Sequence, residues 1–365
     1  MKISLNNKKL HLSYCMNIHP GNSWQESFAA IKNSIPEIKK EFVAADEYFA
    51  LGLRLSATAV QELSDKPDEL ALLKEHCFEN NYYPFSINVF PYGEFHRKIV
   101  KDNVYLPAWD SPERLEYTIN SAKILAELLD NKTQYGSLST VPIGYRSHFN
   151  EEKMQAAMEN LSKIIIEFEK IEEKTGKLIK LALEPEPGCI MDSNKSIAKF
   201  FNEKLRRHCK LPIDLQNRYI GLCLDTCHQA VLFESVAETM KLLRKNQIPL
   251  AKLQISAAPI FNKQKLEEAK AFLDPVYLHQ SAVKAEGNND KIKYFEDLTD
   301  AIKYAEITEN AELRTHFHIP LTVEDSNKMG STTKLLDKNF LEELQKSDTE
   351  QIEVETYTFA VLPEL

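Results

Sequence analysis

Gly221-Leu222-Cys223-Leu224-Asp225-Thr226-Cys227-His228 is an apolar run that stops on an acid and a histidine. Upstream, Leu181-Ala182-Leu183-Glu184-Pro185-Glu186-Pro187 does the same with two carboxylates. Runs of this kind suit parallel strands covered on both faces, where no position alternates towards water. Polar residues collected at their C-terminal tips suit a barrel whose chemistry sits at that end.

The rest of the chain repeats the pattern. Strand-like segments are expected at Leu10–Ile18, Tyr48–Ser56, Tyr83–Phe90, Tyr135–Ile143, Leu178–Glu184, Tyr219–Asp225, Leu250–Ser256, Leu313–Pro320 and Gln351–Val361. Helical stripes lie between them. Ser23-Trp24-Gln25-Glu26 is a capping box before Phe28, Ile31 and Ile35, with Pro36 expected to kink or end that helix. Ser111-Pro112 pairs an N-cap with an N1 proline, and Gly176 stops the stripe over Asn150–Thr175. Further stripes cover Ser193–Cys209, Glu234–Asn246, Tyr294–Ile307 and Leu335–Lys346.

Alternating β and α over 365 residues favours an α/β fold, a closed single (β/α)8 TIM barrel, over an open doubly wound sheet. No G-x-G-x-x-G or G-x-x-x-x-G-K-[ST] follows a strand, which weakens a nucleotide fold. The strand candidates exceed the barrel's places by one. Either the first candidate or Leu313–Pro320 lies outside it, and the latter is assigned there, in an extended insertion between strands seven and eight at approximately 258–345 of a single domain, 1–365.

Composition is that of a globular protein, 43% hydrophobic and 27% charged, with a net charge of −9. An acidic chain without a basic stripe is a poor nucleic-acid binder. No run is apolar enough to span a membrane, and the N-terminus lacks a signal-peptide h-region. Six sparse cysteines without C-x-x-C suggest reduced, mostly buried thiols and a cytoplasmic protein.

Candidate site residues follow from strand parity. Glu184 and Glu186 point one way. Asp225 and His228 can share one metal, or be a ligand and its supporting partner, although an Asp-Thr helix cap also explains Asp225. Gln254 and Ser256 share a face. His316-Phe317-His318 presents alternate imidazoles. In the last strand Glu353, Glu355 and Tyr357 face the interior, where a carboxylate needs a cation or hydrogen bonds. Asn17, His19, Arg54, Asn88, His96 and Thr140 are read as substrate-binding groups. Acids on late strands and neutral groups on early ones suit one divalent cation, Zn, Mn or Mg, beside a small hydroxylated or carbonyl metabolite. Two carboxylates flanking a substrate carbon, Glu184 and Glu355, would then move protons.

Glu184, Asp225-x-x-His228 and Glu355 in this order resemble the xylose isomerase-like TIM barrels, which include sugar epimerases and endonuclease IV-type enzymes. The resemblance implies a divalent metal held by Glu184, Asp225 and Glu355. The third family position, usually His, falls on Gln254, and His316 or His318 would restore an imidazole. His228 would be a ligand or a supporting partner. Leu51-Gly52-Leu53-Arg54-Leu55-Ser56, Asn88-Val89-Phe90-Pro91-Tyr92-Gly93-Glu94-Phe95-His96, Tyr277-Leu278-His279-Gln280 and Val354-Glu355-Thr356-Tyr357-Thr358 resemble the EboE "metabolite traffic" family. That implies a metal-dependent isomerase or epimerase-like enzyme linked to secondary-metabolite traffic. Its partners would be a small-molecule metabolite and either further copies of itself or pathway proteins. Two other readings stand beside it. One is a non-catalytic metabolite carrier, which the glutamine at 254 favours. The other is a metal-dependent hydrolase, which the acidic charge disfavours.

Overall fold

The computed structural model describes residues 1–93, 101–273, 278–285, 291–323, 325–326 and 328–355. Eight parallel strands carry the architecture: β1 (Lys8–Cys15), β2 (Phe49–Arg54), β3 (Tyr82–Asn88), β4 (Gly136–Thr140), β5 (Ile179–Leu183), β6 (Ile220–Asp225), β7 (Leu250–Ile255) and β8 (Gln351–Val354). They pair in sequence order. β8 then pairs with β1 and β1 with β2, which closes the barrel. A strand at Lys2–Leu5, absent from the sequence reading, runs antiparallel to β1.

Helices wrap the outside and end where their sequences direct. Ser23 accepts from the Glu26 amide in a complete capping box. Asn150 caps Glu151–Thr175, and Gly176 closes it at φ 68°, the left-handed conformation glycine permits. Pro36 neither ends nor divides Trp24–Phe42. Tertiary contacts outweigh its missing N–H: Ile31 and Ile35 are buried, and Lys39 donates to the carbonyls of Ala45 and Asn80, both at 2.9 Å. The stripe at Tyr294–Ile307 is shorter than its periodicity suggests. Its helix is Leu298–Ile307, capped by Asp297, and Ile292–Phe295 is a strand.

Between β7 and β8 the chain builds a second sheet, all antiparallel, from Pro259–Asn262, Ser281–Ala285, Ile292–Phe295, Ala311–Thr315 and Gly330–Ser331. Leu313 thus lies outside the barrel, and the first candidate, around Leu10, lies within it. Leu298–Ile307 packs on this sheet, and Phe261, Phe272, Val283, Leu298, Leu313 and Phe317 form a core separate from that of the barrel. The Ile319 amide bonds the Ala257 carbonyl at 2.9 Å, holding the segment after Ala311–Thr315 against the chain that leaves β7. Among the described residues no helix is long and apolar enough to cross a membrane.

Candidate functional site

Three barrel strands end on buried carboxylates. Glu184 follows β5, and its amide bonds the Thr140 carbonyl at 2.9 Å. Asp225 is the last residue of β6, and Glu355 follows β8 with its amide on the Ile255 carbonyl at 3.0 Å. Their exposures are 5%, 0% and 6%. So little contact with water makes mutual repulsion large. Burial first, and then the charges of Asp225 and Glu355, push the Glu184 carboxyl well above its ordinary range.

Asp225 is the helix cap its sequence allowed. Its Oδ1 caps the helix Thr226–Val231, accepting from the amides of Cys227 (2.7 Å) and His228 (3.2 Å), and takes the Ser256 hydroxyl at 2.6 Å. Its Oδ2 is buried with no hydrogen-bond partner among the described residues.

The insertion delivers the imidazoles. His316 and His318 leave Ala311–Thr315 and enter the mouth of the barrel, 3% and 2% exposed. His318 Nδ1 forms an ion pair with Glu355 Oε2, and Asn17 Nδ2 donates to Glu355 Oε1 at 2.9 Å. Burial opposes charge on both partners of this pair, and their attraction outweighs it. His318 is held well above its ordinary value and Glu355 below. His316 has the opposite setting: burial, and then His228 and His318, lower it well below. Glu186 accepts from the Tyr105 hydroxyl at 2.6 Å and from Gln280 at 3.2 Å, and burial raises it.

Ligand atoms of Asp225, His228 and His318 lie within 4.8 Å of one another, as do those of Glu186, His228 and His316, and of Cys227, His316 and His318. A small cleft opens beside them. Glu184, Glu186, His228, His316, His318, Glu355, Asn17 and Asn88 line it, with Phe90, Pro91, Val104, Tyr105 and Leu278 supplying apolar wall and Lys101 a cation.

The remaining candidates fall elsewhere. Gln254 sits beside Glu184, and with its amide nitrogen turned that way it donates to both carboxylate oxygens at 3.3 and 3.1 Å. It holds Glu184 rather than presenting an oxygen. Arg54 donates to the carbonyls of Gly21 and Gly93, the latter at 2.6 Å, which makes it a clamp between loops. His19 meets the Tyr14 hydroxyl at 3.0 Å, and Thr140 offers its carbonyl to Glu184. None of these three lines the cleft. His96 and Tyr357 lie outside the described residues. Tyr105, the last residue of a 3₁₀ turn over Lys101–Tyr105, had no sequence signal. Gln280 had only its place in the Tyr277–Gln280 segment.

No protein-family model matches the chain, nor does any curated protein sequence. Solved structures do resemble it. One is a D-tagatose 3-epimerase-like protein, with 15% identity, 67% of this chain and 74% of that one covered, and a TM-score of 0.42. A second is a D-allulose 3-epimerase from Methylomonas sp. in complex with D-allulose, with 14% identity, coverage of 70% and 75%, and a TM-score of 0.44. A third is an IOLI protein with a binding zinc atom, with 15% identity, coverage of 67% and 72%, and a TM-score of 0.41. The fold assignment itself rests on strand pairing within this chain: eight parallel strands closed on themselves make it a (β/α)8 barrel.

Proposed function

We propose that the chain is a divalent-metal-dependent sugar isomerase- or epimerase-like enzyme acting on a small hydroxylated or carbonyl metabolite. The observation that carries this reading is the convergence of three buried carboxyl groups with one oxygen, Asp225 Oδ2, left without a hydrogen bond among the described residues. Such a group is unfavourable unless a cation neutralises it. Oxygens of Glu184, Asp225 and Glu355 would hold a Zn, Mn or Mg ion, in place of the proton that His318 now shares with Glu355. A cation held there would polarise a substrate oxygen.

The chain's own residues would do the rest. Glu184 and Glu355 would carry the proton to and from the carbon beside the carbonyl. Asn17 and His318 orient the Glu355 carboxylate, and Gln254 orients Glu184. Asn88, Tyr105 and the apolar residues of the cleft would seat the substrate and exclude water. The EboE-like segments support a secondary metabolite as the substrate, and six free, buried cysteines support a reducing, cytoplasmic setting.

Solvent exchange tests this. The protein with Mn²⁺ is incubated in D₂O with a panel of ketoses and hydroxycarbonyl compounds. Deuterium should enter at the carbon beside the carbonyl, and Glu355→Gln should abolish this. Absence of exchange across the panel, with metal bound, would favour a non-catalytic carrier.

A further inference from the structure

The end of the barrel opposite the carboxylates is also recessed. The basin there lies among the first residues of β1 and the segments that lead into β4, β5 and β8, and Lys2, Lys8, Lys9, Lys132 and Lys177 line it. Its three acids are already engaged. Asp130 accepts from the Lys132 amide at 2.7 Å and pairs with its ammonium group at 2.5 Å. Asp348 accepts from the Leu250 amide at 3.1 Å, and Glu350 from the Gln134 amide at 2.6 Å. Lys8 is committed to Ser347, and Lys177 to Asn131. Lys2 and Lys9 make no hydrogen bond or ion pair among the described residues. In a chain of net charge −9, this basin carries more lysines than acids.

Strand geometry gathers the two free cations around one histidine. Lys9 and His11 alternate to the same face of β1, and Lys2 stands directly opposite His11 in the antiparallel register. His11 is 4% exposed, with its ring set edge-to-face against Tyr83 and Phe85 at 5.9 and 6.0 Å. Its Nδ1 is enclosed with no partner among the described residues. An enclosed N–H without an acceptor is the rarer and costlier orphan, so the proton sits on Nε2. Nε2 is not enclosed, and the ring borders the basin. Burial first, and then the charges of Lys2 and the amino terminus, push the imidazole down to about 4, so the ring is neutral. Thr133 Oγ1, also at the basin, is likewise enclosed without a partner among the described residues.

We propose that the basin binds an oxyanion of the phosphate class, with the Nε2–H of His11 and the ammonium groups of Lys2 and Lys9 as its donors. The lysines supply charge, and the imidazole N–H supplies direction. Gln351 pairs with His11 in register, so the site lies four residues below Glu355, about 13 Å along the strand. It shares no residue with the carboxylate centre and stands whether or not the proposed reaction does.

Titration calorimetry of the chelator-stripped full chain at constant ionic strength tests this, with inorganic phosphate and glycerol 3-phosphate as probes. One equivalent should bind. Tighter binding of the monoester would assign the site to a phosphorylated metabolite, and tighter binding of inorganic phosphate to the free ion. Lys2 and Lys9 are exposed, so the double variant Lys2→Gln/Lys9→Gln should fold. It should weaken binding about tenfold or more, whereas Lys101→Gln at the barrel mouth should not. With phosphate bound, the His11 imidazole pKa followed by NMR should rise by about one unit or more. No binding of either probe at millimolar concentration, unchanged binding in the lysine double variant, or an unmoved His11 pKa would overturn the site. So would loss of binding in Lys101→Gln.

Discussion

Lys252 Nζ and Glu353 Oε1 lie 2.7 Å apart inside the barrel, each side chain 1% exposed. Ser13 and Ser86 donate to the other Glu353 oxygen at 2.9 and 3.2 Å. Strand periodicity places the pair one interior layer below Gln254 and Glu355. Its lysine also partly offsets the negative charge around Glu184. The barrel floor is thus a satisfied ion pair, while the layer above it is rich in carboxylates.

Breaking that pair should be costly. Lys252→Met leaves Glu353 buried without its cation, and a loss of about 3–5 kcal/mol is expected in urea unfolding. The double variant Lys252→Met/Glu353→Gln should recover much of it. Equal stability of the single variant and the parent would show that the pair does not hold the floor together.

Gly52 makes room for Glu353. A Cβ at this position would stand 1.5 Å from Glu353 Oε2. Gly52→Ala should therefore destabilise by about 1–3 kcal/mol or more. Gly176, whose Cβ would meet nothing within 4 Å but whose φ is 68°, gives the comparison. Ala there should destabilise through backbone strain alone, by about 1 kcal/mol. A larger loss at Gly176 than at Gly52 would contradict the close packing of Gly52 on Glu353.

The barrel strands were legible because burial on both faces writes continuous apolar runs, as in Leu181–Leu183 and Gly221–Leu224. Glu184 and Asp225 were legible as strand-end carboxylates because each stops an apolar run, although for Asp225 the helix cap is itself a reason to be there. The interior side of the last strand places Glu353 where a carboxylate needs a cation or hydrogen bonds, but strand order alone does not say that Lys252 meets it across the interior. The insertion's strands are short and partly exposed, so Ser281–Ala285 and Ile292–Phe295 left no clear period. Arg54 was misplaced for a related reason: sequence cannot reveal that loop carbonyls, here Gly21 and Gly93, meet its guanidinium.

Asn17 donates to Glu355 Oε1 at 2.9 Å from a buried position. A hydrogen bond to a charged group contributes about 1.5–3 kcal/mol, so Asn17→Ala should slow deuterium exchange roughly tenfold or more. Its KM should change less than its kcat, because the residue orients the base rather than the substrate. An unaltered exchange rate would remove this role.

The most direct test of the carboxylate centre is metal content. The protein is purified without chelator or a histidine tag, and elemental analysis is run beside Glu184→Gln and Glu355→Gln. About one equivalent of Zn, Mn or Mg is expected in the parent, and both variants should lose it. A parent that carries no divalent metal and takes up none on titration with Mg²⁺, Mn²⁺ or Zn²⁺ would contradict the metal-dependent reading and leave a metabolite-binding barrel in its place.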